Sequence, residues 1–315
     1  MKRFVKRTTI FFLLLSLIIV VLIVVANRLH QFYPSEGYYH HEFNKAFEKG
    51  NSDIVAIGNS KLLSALDKNT LEDKLELQIS NLGYSSSNIS ISRLTLESYL
   101  NKCKIKPKAI VLEVSWFTFN KKRTTLHSIS GNLLLNDFKL WQYFFRYSPK
   151  IKQNIKEAII NTYIHRVKPP QKELSYASKF REYTPFTKDY DFNLEAFENI
   201  FPNHVAGVDS LLLDDFYAIV EMCRKEQIAL ILFSAPEDEE YSKIQNDSEQ
   251  INSIFTETAE NDPNVYYLDY TYGGNLWNKK HENWLRNSHH INEKELFTEV
   301  LSENIKARAH KVLYE

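Results

Sequence analysis

Short apolar runs alternate with helical stripes along most of this chain. Five runs are bounded by turn residues: Asp53–Ile57 (DIVAI), Leu77–Leu82 (LQISNL), Ala109–Val114 (AIVLEV), Ala229–Ser234 (ALILFS) and Val265–Asp269 (VYYLD). Their length and β-branched content predict strands buried on both faces. Elsewhere the period changes. Leu212, Phe216, Ile219, Val220 and Cys223 share one helical stripe, and Leu296, Phe297, Val300, Leu301 and Ile305 share another. Strands alternating with such helices predict an α/β domain, a parallel sheet sandwiched by helices. Ligands of such sheets sit beyond the carboxyl ends of the strands. The residues following each run are therefore the candidates for chemistry.

A longer apolar run precedes the domain. Ile10–Ala26 is broken only by Ser16 and follows Lys2, Arg3, Lys6 and Arg7. As a helix it rises about 26 Å, close to the roughly 30 Å of a bilayer's hydrocarbon core. An uncleaved transmembrane anchor is expected. The alternative is a signal peptide cut after Val24-Val25-Ala26, although the run exceeds the usual apolar core of about 7–15 residues. Basic residues ahead of the run, with only Arg28 close behind, predict a cytoplasmic N-terminus and an extracytoplasmic domain. The expected organisation is a basic segment at 1–9, the anchor at 10–26, a stalk at 27–50 and a globular domain at 51–315. The third and fourth runs lie much farther apart than one crossover helix requires. A helical insertion at about 121–208, rich in aromatics such as Phe138, Trp141 and Phe144, is expected there.

Charge and composition exclude several classes. Lys+Arg and Asp+Glu are 39 each, so no overall basic field exists to hold nucleic acid. Glycine is scarce, 8 in 315 residues, and neither GxGxxG nor GxxxxGK[ST] occurs. Cys103 and Cys223 are the only cysteines and form no CxxC. That excludes a thiolate zinc site and a disulfide scaffold, and predicts two free, buried thiols. His40-His41 on the stalk reads as a solvated pair. Neither a metal nor an organic cofactor is expected.

The first run ends in Gly58-Asn59-Ser60-Lys61. A serine directly after a strand, opening a helix, presents its hydroxyl at the sheet's carboxyl edge beside backbone N–H groups able to stabilise an oxyanion. The bland alternative is a helix-capping serine. Gly58 would admit the tight turn, and Gly83 ends the second run, where backbone must approach a ligand closely. Before the last helix comes Asn287-Ser288-His289-His290-Ile291-Asn292. A neutral imidazole there can deprotonate a serine hydroxyl, or the histidines merely cap the helix.

In this order the pieces resemble the SGNH/GDSL hydrolase superfamily. They resemble in particular its membrane-anchored bacterial branch of D-alanyl-lipoteichoic-acid transfer and alginate O-acetylation proteins. The blocks are Gly58-x-Ser60, Gly83, Ala109–Phe117 (AIVLEVSWF), Phe233-Ser234-Ala235-Pro236, Val265–Asp269 and Asn287-x-x-His290-Ile291-Asn292. The resemblance implies a three-layer, flavodoxin-like parallel sheet. It implies Ser60 as nucleophile, His290 as general base, and Gly83 with the Ser60 backbone as oxyanion donors. Two departures stand out. Asn287 occupies the place of the triad Asp, an exchange that costs about 10⁴ in kcat in the serine-protease template. Ser115 and Trp116 occupy the neighbourhood of an oxyanion Asn, a donor worth about 10²–10³. Asp269 is an alternative source of the missing carboxylate. The implied activity is hydrolysis or transfer of acyl esters on a cell-envelope glycan, with a polytopic membrane acyltransferase as possible partner. The competing class is a catalytically weak or inactive scaffold on the same fold.

Overall fold

The computed structural model describes residues 4, 6–18, 21, 50–83, 87–116, 118–119, 208–237, 248–271, 285–287, 290–291 and 293–315, with the backbone alone at 285–287 and 290. In chain order the elements of the globular part are β1 (Ile54–Ile57), α1 (Ser60–Ala65), α2 (Lys68–Leu75), β2 (Ile79–Asn81), α3 (Ile89–Lys102) and β3 (Ala109–Glu113). They continue with α4 (Ser210–Lys225), β4 (Ala229–Ser234), α5 (Ser248–Asn261), β5 (Val265–Asp269), β6 (Leu285–Asn287), β7 (His290–Ile291) and α6 (Lys294–Tyr314).

Five parallel strands form one sheet in the order β2-β1-β3-β4-β5. The chain steps outward from β1 to β2, then returns past β1 to β3, so the winding reverses between β1 and β3. This is the flavodoxin-like order. Alternate residues enter different layers, as a period of two requires. Ile54, Ala56, Val111, Ile231 and Phe233 pack with Leu62, Leu71, Phe297 and Leu301 of α1, α2 and α6. Val55, Ile57, Ile110, Leu112 and Leu230 pack with Leu96, Phe216 and Phe255 of α3, α4 and α5. The three-layer α/β architecture expected from the apolar runs is therefore present.

Local departures have local causes. The second strand is shorter than Leu77–Leu82, because α2 runs to Leu75 and reverses through Glu76 in the left-handed conformation (φ 56°). Only Ile79–Asn81 remain to pair with β1. Both thiols are free, as expected. Cys223 is buried, but Cys103 is only half-buried.

Of the apolar N-terminal run, residues 6–18 include a helical stretch with Phe11, Phe12, Leu13 and Leu17 exposed. No helix among the described residues is long and apolar enough to cross a membrane. The rest of the expected anchor apart from residue 21, the stalk before Gly50, and the insertion up to Val208 lie outside the described residues.

Candidate active site

The site is built where β1 gives way to α1. Both Asn59 and Ser60 are residue types that cap helices, and it is Asn59 that does so: its Oδ1 accepts from Lys61 N–H at 2.7 Å. Ser60 is the first helical residue and is half-buried. The capping alternative thus falls to its neighbour.

The two glycines also serve packing, a role beyond the one expected from turns and ligands. Gly58 has no left-handed φ. A Cβ there would lie 2.8 Å from Glu113 Cβ and 2.9 Å from Leu62 Cβ. One at Gly83 would lie 2.8 Å from Leu62 Cδ2 and 2.9 Å from Leu63 Cδ2. At Gly58 the close atoms are Cβ atoms that cannot swing aside, so a larger residue would push β1 and α1 apart, whereas the leucine ends beside Gly83 could shift.

The implied oxyanion donors are also partly engaged. Gly83 N–H donates to Asn81 Oδ1 at 2.8 Å, an acceptor that the Asn81-Leu82-Gly83 motif did not reveal as such. Ser115 N–H donates to Thr118 Oγ1 at 2.8 Å, and Thr118 N–H returns to Ser115 O at 2.8 Å. Ser115 is buried, its Oγ without a hydrogen-bond partner among the described residues. Trp116 packs half-buried against the core beneath α3 and α4.

The segment before α6 includes a short antiparallel hairpin. β6 pairs with β7, with Leu285 opposite Ile291 and Asn287 opposite His290. Ile291 is buried in the same core as Leu62 and Ala65 of α1. It anchors the hairpin there, and Cα atoms of β7 and α1 approach within 8 Å. The structure thus brings together the element opened by Ser60 and the element opened by His290, from opposite ends of the domain. The side chains of Asn287 and His290 lie outside the described residues.

Asp269 does not belong to this group. It is exposed on the edge strand β5, three strand positions or about 14 Å from β1. Its Oδ1 accepts from Thr271 N–H at 2.9 Å and its Oδ2 from Asn252 Nδ2 at 2.8 Å. Those bonds hold the carboxylate along β5 and towards α5. The thiols are equally remote from nucleophilic chemistry. Burial pushes Cys223 up to about 12, helped by Asp262, and burial also raises Cys103, whereas a reactive cysteine needs a lowered pKa.

Three charged residues escaped sequence reasoning. Lys61, next to Ser60, forms a buried ion pair with Glu237, which follows β4; each side chain is 1% exposed. Glu113, at the end of β3, is buried beside a narrow cleft at the β1/β3 reversal, lined also by Gly58, Asn59, Ser87 and Asn88. The cleft has room for about one water molecule. Ser87 Oγ donates across it to Gly58 O at 2.9 Å. A polar residue ending a fully apolar strand was the one available signal for Glu113. No sequence pattern joins Lys61 to a partner 176 residues away.

No family model and no curated protein matches the chain. Some solved structures are similar to it. A GDSL-like lipase from Bacteroides thetaiotaomicron aligns over 87% of this chain and 96% of its own, at 10% identity and a TM-score of 0.39. A protein provisionally assigned to the G-D-S-L lipolytic family, from Desulfitobacterium hafniense, covers 80% and 99% at 14% identity and a TM-score of 0.39. An active-site mutant of a family two carbohydrate esterase from Clostridium thermocellum covers 82% and 64% at 8% identity and a TM-score of 0.33. These likenesses are too distant to bear on function, which is read below from the chain's own residues.

Proposed function

We propose that this chain is a membrane-anchored esterase or O-acyltransferase acting on acyl esters of a cell-envelope glycan, with Ser60 as nucleophile and His290 as its base. The observation that supports the reading is the packing of β7, which His290 opens, against α1, which Ser60 opens. In the first half-reaction Ser60 Oγ bonds to the acyl carbonyl carbon as its proton passes to His290. The ester C–O bond then breaks, and His290 returns the proton to the departing alcohol. Water (hydrolysis) or an acceptor hydroxyl (transfer) attacks the acyl-serine in the second half, again deprotonated by His290. The test is labelling of the purified protein with a fluorophosphonate, which should modify Ser60 and leave Ser60→Ala unlabelled. A parent protein that takes up no label would sink the reading.

Asn287 is proposed to orient His290. Opposed positions of an antiparallel pair lie about 4.5–5.5 Å apart at Cβ, and the Asn287–His290 register supports that role. An amide can accept the ring N–H but cannot balance the imidazolium charge. Asn287→Asp should therefore raise ester turnover by about 10²-fold, less than the ~10⁴ of the protease template. A flat or lowered turnover in an active parent would mean that another acid already serves His290, because paired carboxylates drive one towards protonation.

The anchor is proposed from the Ile10–Ala26 run and the exposed apolar side chains of its helical portion. Sodium carbonate extraction of membranes should leave the full chain in the pellet and release one lacking residues 1–27. Release of the full chain would count against anchoring. An extracytoplasmic domain held at the membrane suits a substrate delivered there, and a polytopic acyltransferase is the partner proposed with it.

One alternative has its own support. The engagement of Gly83 N–H by Asn81, together with Asn287 in place of an acid, favours a catalytically weak or inactive scaffold that holds the same glycan. Such a protein would bind the glycan and resist the fluorophosphonate.

A further inference from the structure

Lys61 and Glu237 are buried charges that the proposed reaction does not use. The Lys61 ammonium donates to Glu237 Oε1, and each side chain is 1% exposed. Removing two ions from water is costly, and an apolar pair of similar volume would hold a core together as well or better. Core stability alone therefore does not account for this pair, whereas a geometric role does.

The geometry concerns α1. It has six residues, too few to be stable by itself. Leu62 and Ala65 seat it on the core and Thr298 Oγ1 donates to Ala65 O at 3.1 Å, but apolar contacts orient the first turn less than a charged hydrogen bond does. Glu237 is fixed at the far side of the carboxyl edge. Its N–H donates to Thr271 O at 3.3 Å, just beyond β5, and Tyr270 N–H donates to Ser234 O at 3.1 Å. The ion pair thus ties the first turn of α1 to the ends of β4 and β5, past the end of β3. Neighbouring helical residues project about 100° apart, so fixing the direction of Lys61 also fixes that of Ser60.

We infer that Lys61–Glu237 is a positioning pair, which sets the rotation and height of the α1 first turn and so aims the Ser60 hydroxyl. The inference rests on the reading of Ser60 as nucleophile. Lys61 itself touches no substrate. Its action is through Ser60.

The experiment uses the full chain and the double variant Lys61→Met/Glu237→Leu, which keeps the volume and removes both charges. Thermal unfolding, steady-state hydrolysis of p-nitrophenyl acetate and hydrogen exchange are measured together. The double variant should unfold within a few degrees of the parent and keep KM within about twofold. Its kcat should fall on the order of 10–10²-fold, since a misplacement of about 1 Å can cost 10². Amides of residues 61–65 should exchange at least about tenfold faster, with those of α3 unchanged. Parent kcat together with parent exchange in α1 would overturn the inference. If the double variant does not fold, Lys61→Arg keeps the charge but alters its reach: lowered kcat at constant KM supports positioning, and unchanged kcat overturns it. A parent that neither labels nor turns over defeats the nucleophile reading, and with it the aiming of Ser60. The exchange comparison still decides separately whether the pair tethers α1.

Discussion

Ser60→Ala should lower kcat/KM for a simple ester by at least about 10²-fold, His290→Ala by a similar factor, and the two together by little more. Nucleophile and base act as a unit, so removing either forfeits what both supply. The size of the loss follows from the partner of His290. In the protease template the full triad is worth about 2 × 10⁶ in kcat, and replacing its Asp by Asn forfeits about 10⁴. If Asn287 orients His290 as proposed, about 10² remains for Ser60 and His290 to supply. A loss approaching 10⁶ would instead show that His290 has a carboxylate partner. Near-parent activity in Ser60→Ala would remove Ser60 from the chemistry. Initial rates with p-nitrophenyl acetate for the parent, both single variants and the double variant decide among these outcomes.

Lys61→Met should destabilise the fold by about 3–5 kcal/mol, because it removes one partner of a buried ion pair. Whole domains are stable by only about 5–15 kcal/mol, so this variant would stand near the edge of folding. Glu237→Gln should cost less than a wholly apolar replacement would, since an amide oxygen can still accept from the ammonium. The exposed pair Lys74–Glu299, at 3.0 Å with side chains 46% and 44% exposed, is the internal control. Solvent screens it, and Lys74→Ala should change stability by less than about 1 kcal/mol. Urea unfolding of the parent and these variants reads the differences directly. A cost below 1 kcal/mol for Lys61→Met would show that the pair is wetter and weaker than its burial indicates.

Both expectations concern the same turn of helix, yet only one of its two key residues was legible in advance. Ser60 stands at a junction that local rules identify: an apolar strand, a glycine, then the start of a helix. Asn59 illustrates the limit of those rules. Two adjacent cap-type residues offer the same local chemistry, and which one accepts from Lys61 N–H depends on where β1 delivers the chain. Gly58 and Gly83 were marked as special positions, but their packing contacts were not legible. Their spatial neighbours are Leu62, Leu63 and Glu113, none of which a turn rule consults. Asp269 also ends a strand, but no local rule shows that this strand lies at the edge of the sheet.

The sequence by itself determined what depends on near neighbours along the chain. Runs of β-branched and apolar residues specified β1, β3, β4 and β5, and the stripes at helical period specified α4 and α6. Their alternation specified an α/β sandwich with its chemistry at the carboxyl edge. Only the tertiary structure decided the strand order, the reversal between β1 and β3, the seating of β7 on α1 and the Lys61–Glu237 pair. Hydrophobic periodicity says which face of an element is buried, because burial depends on one residue's own chemistry. It does not say against which partner, since apolar surfaces are interchangeable and a charge finds its counter-ion only after the strands between them have been placed.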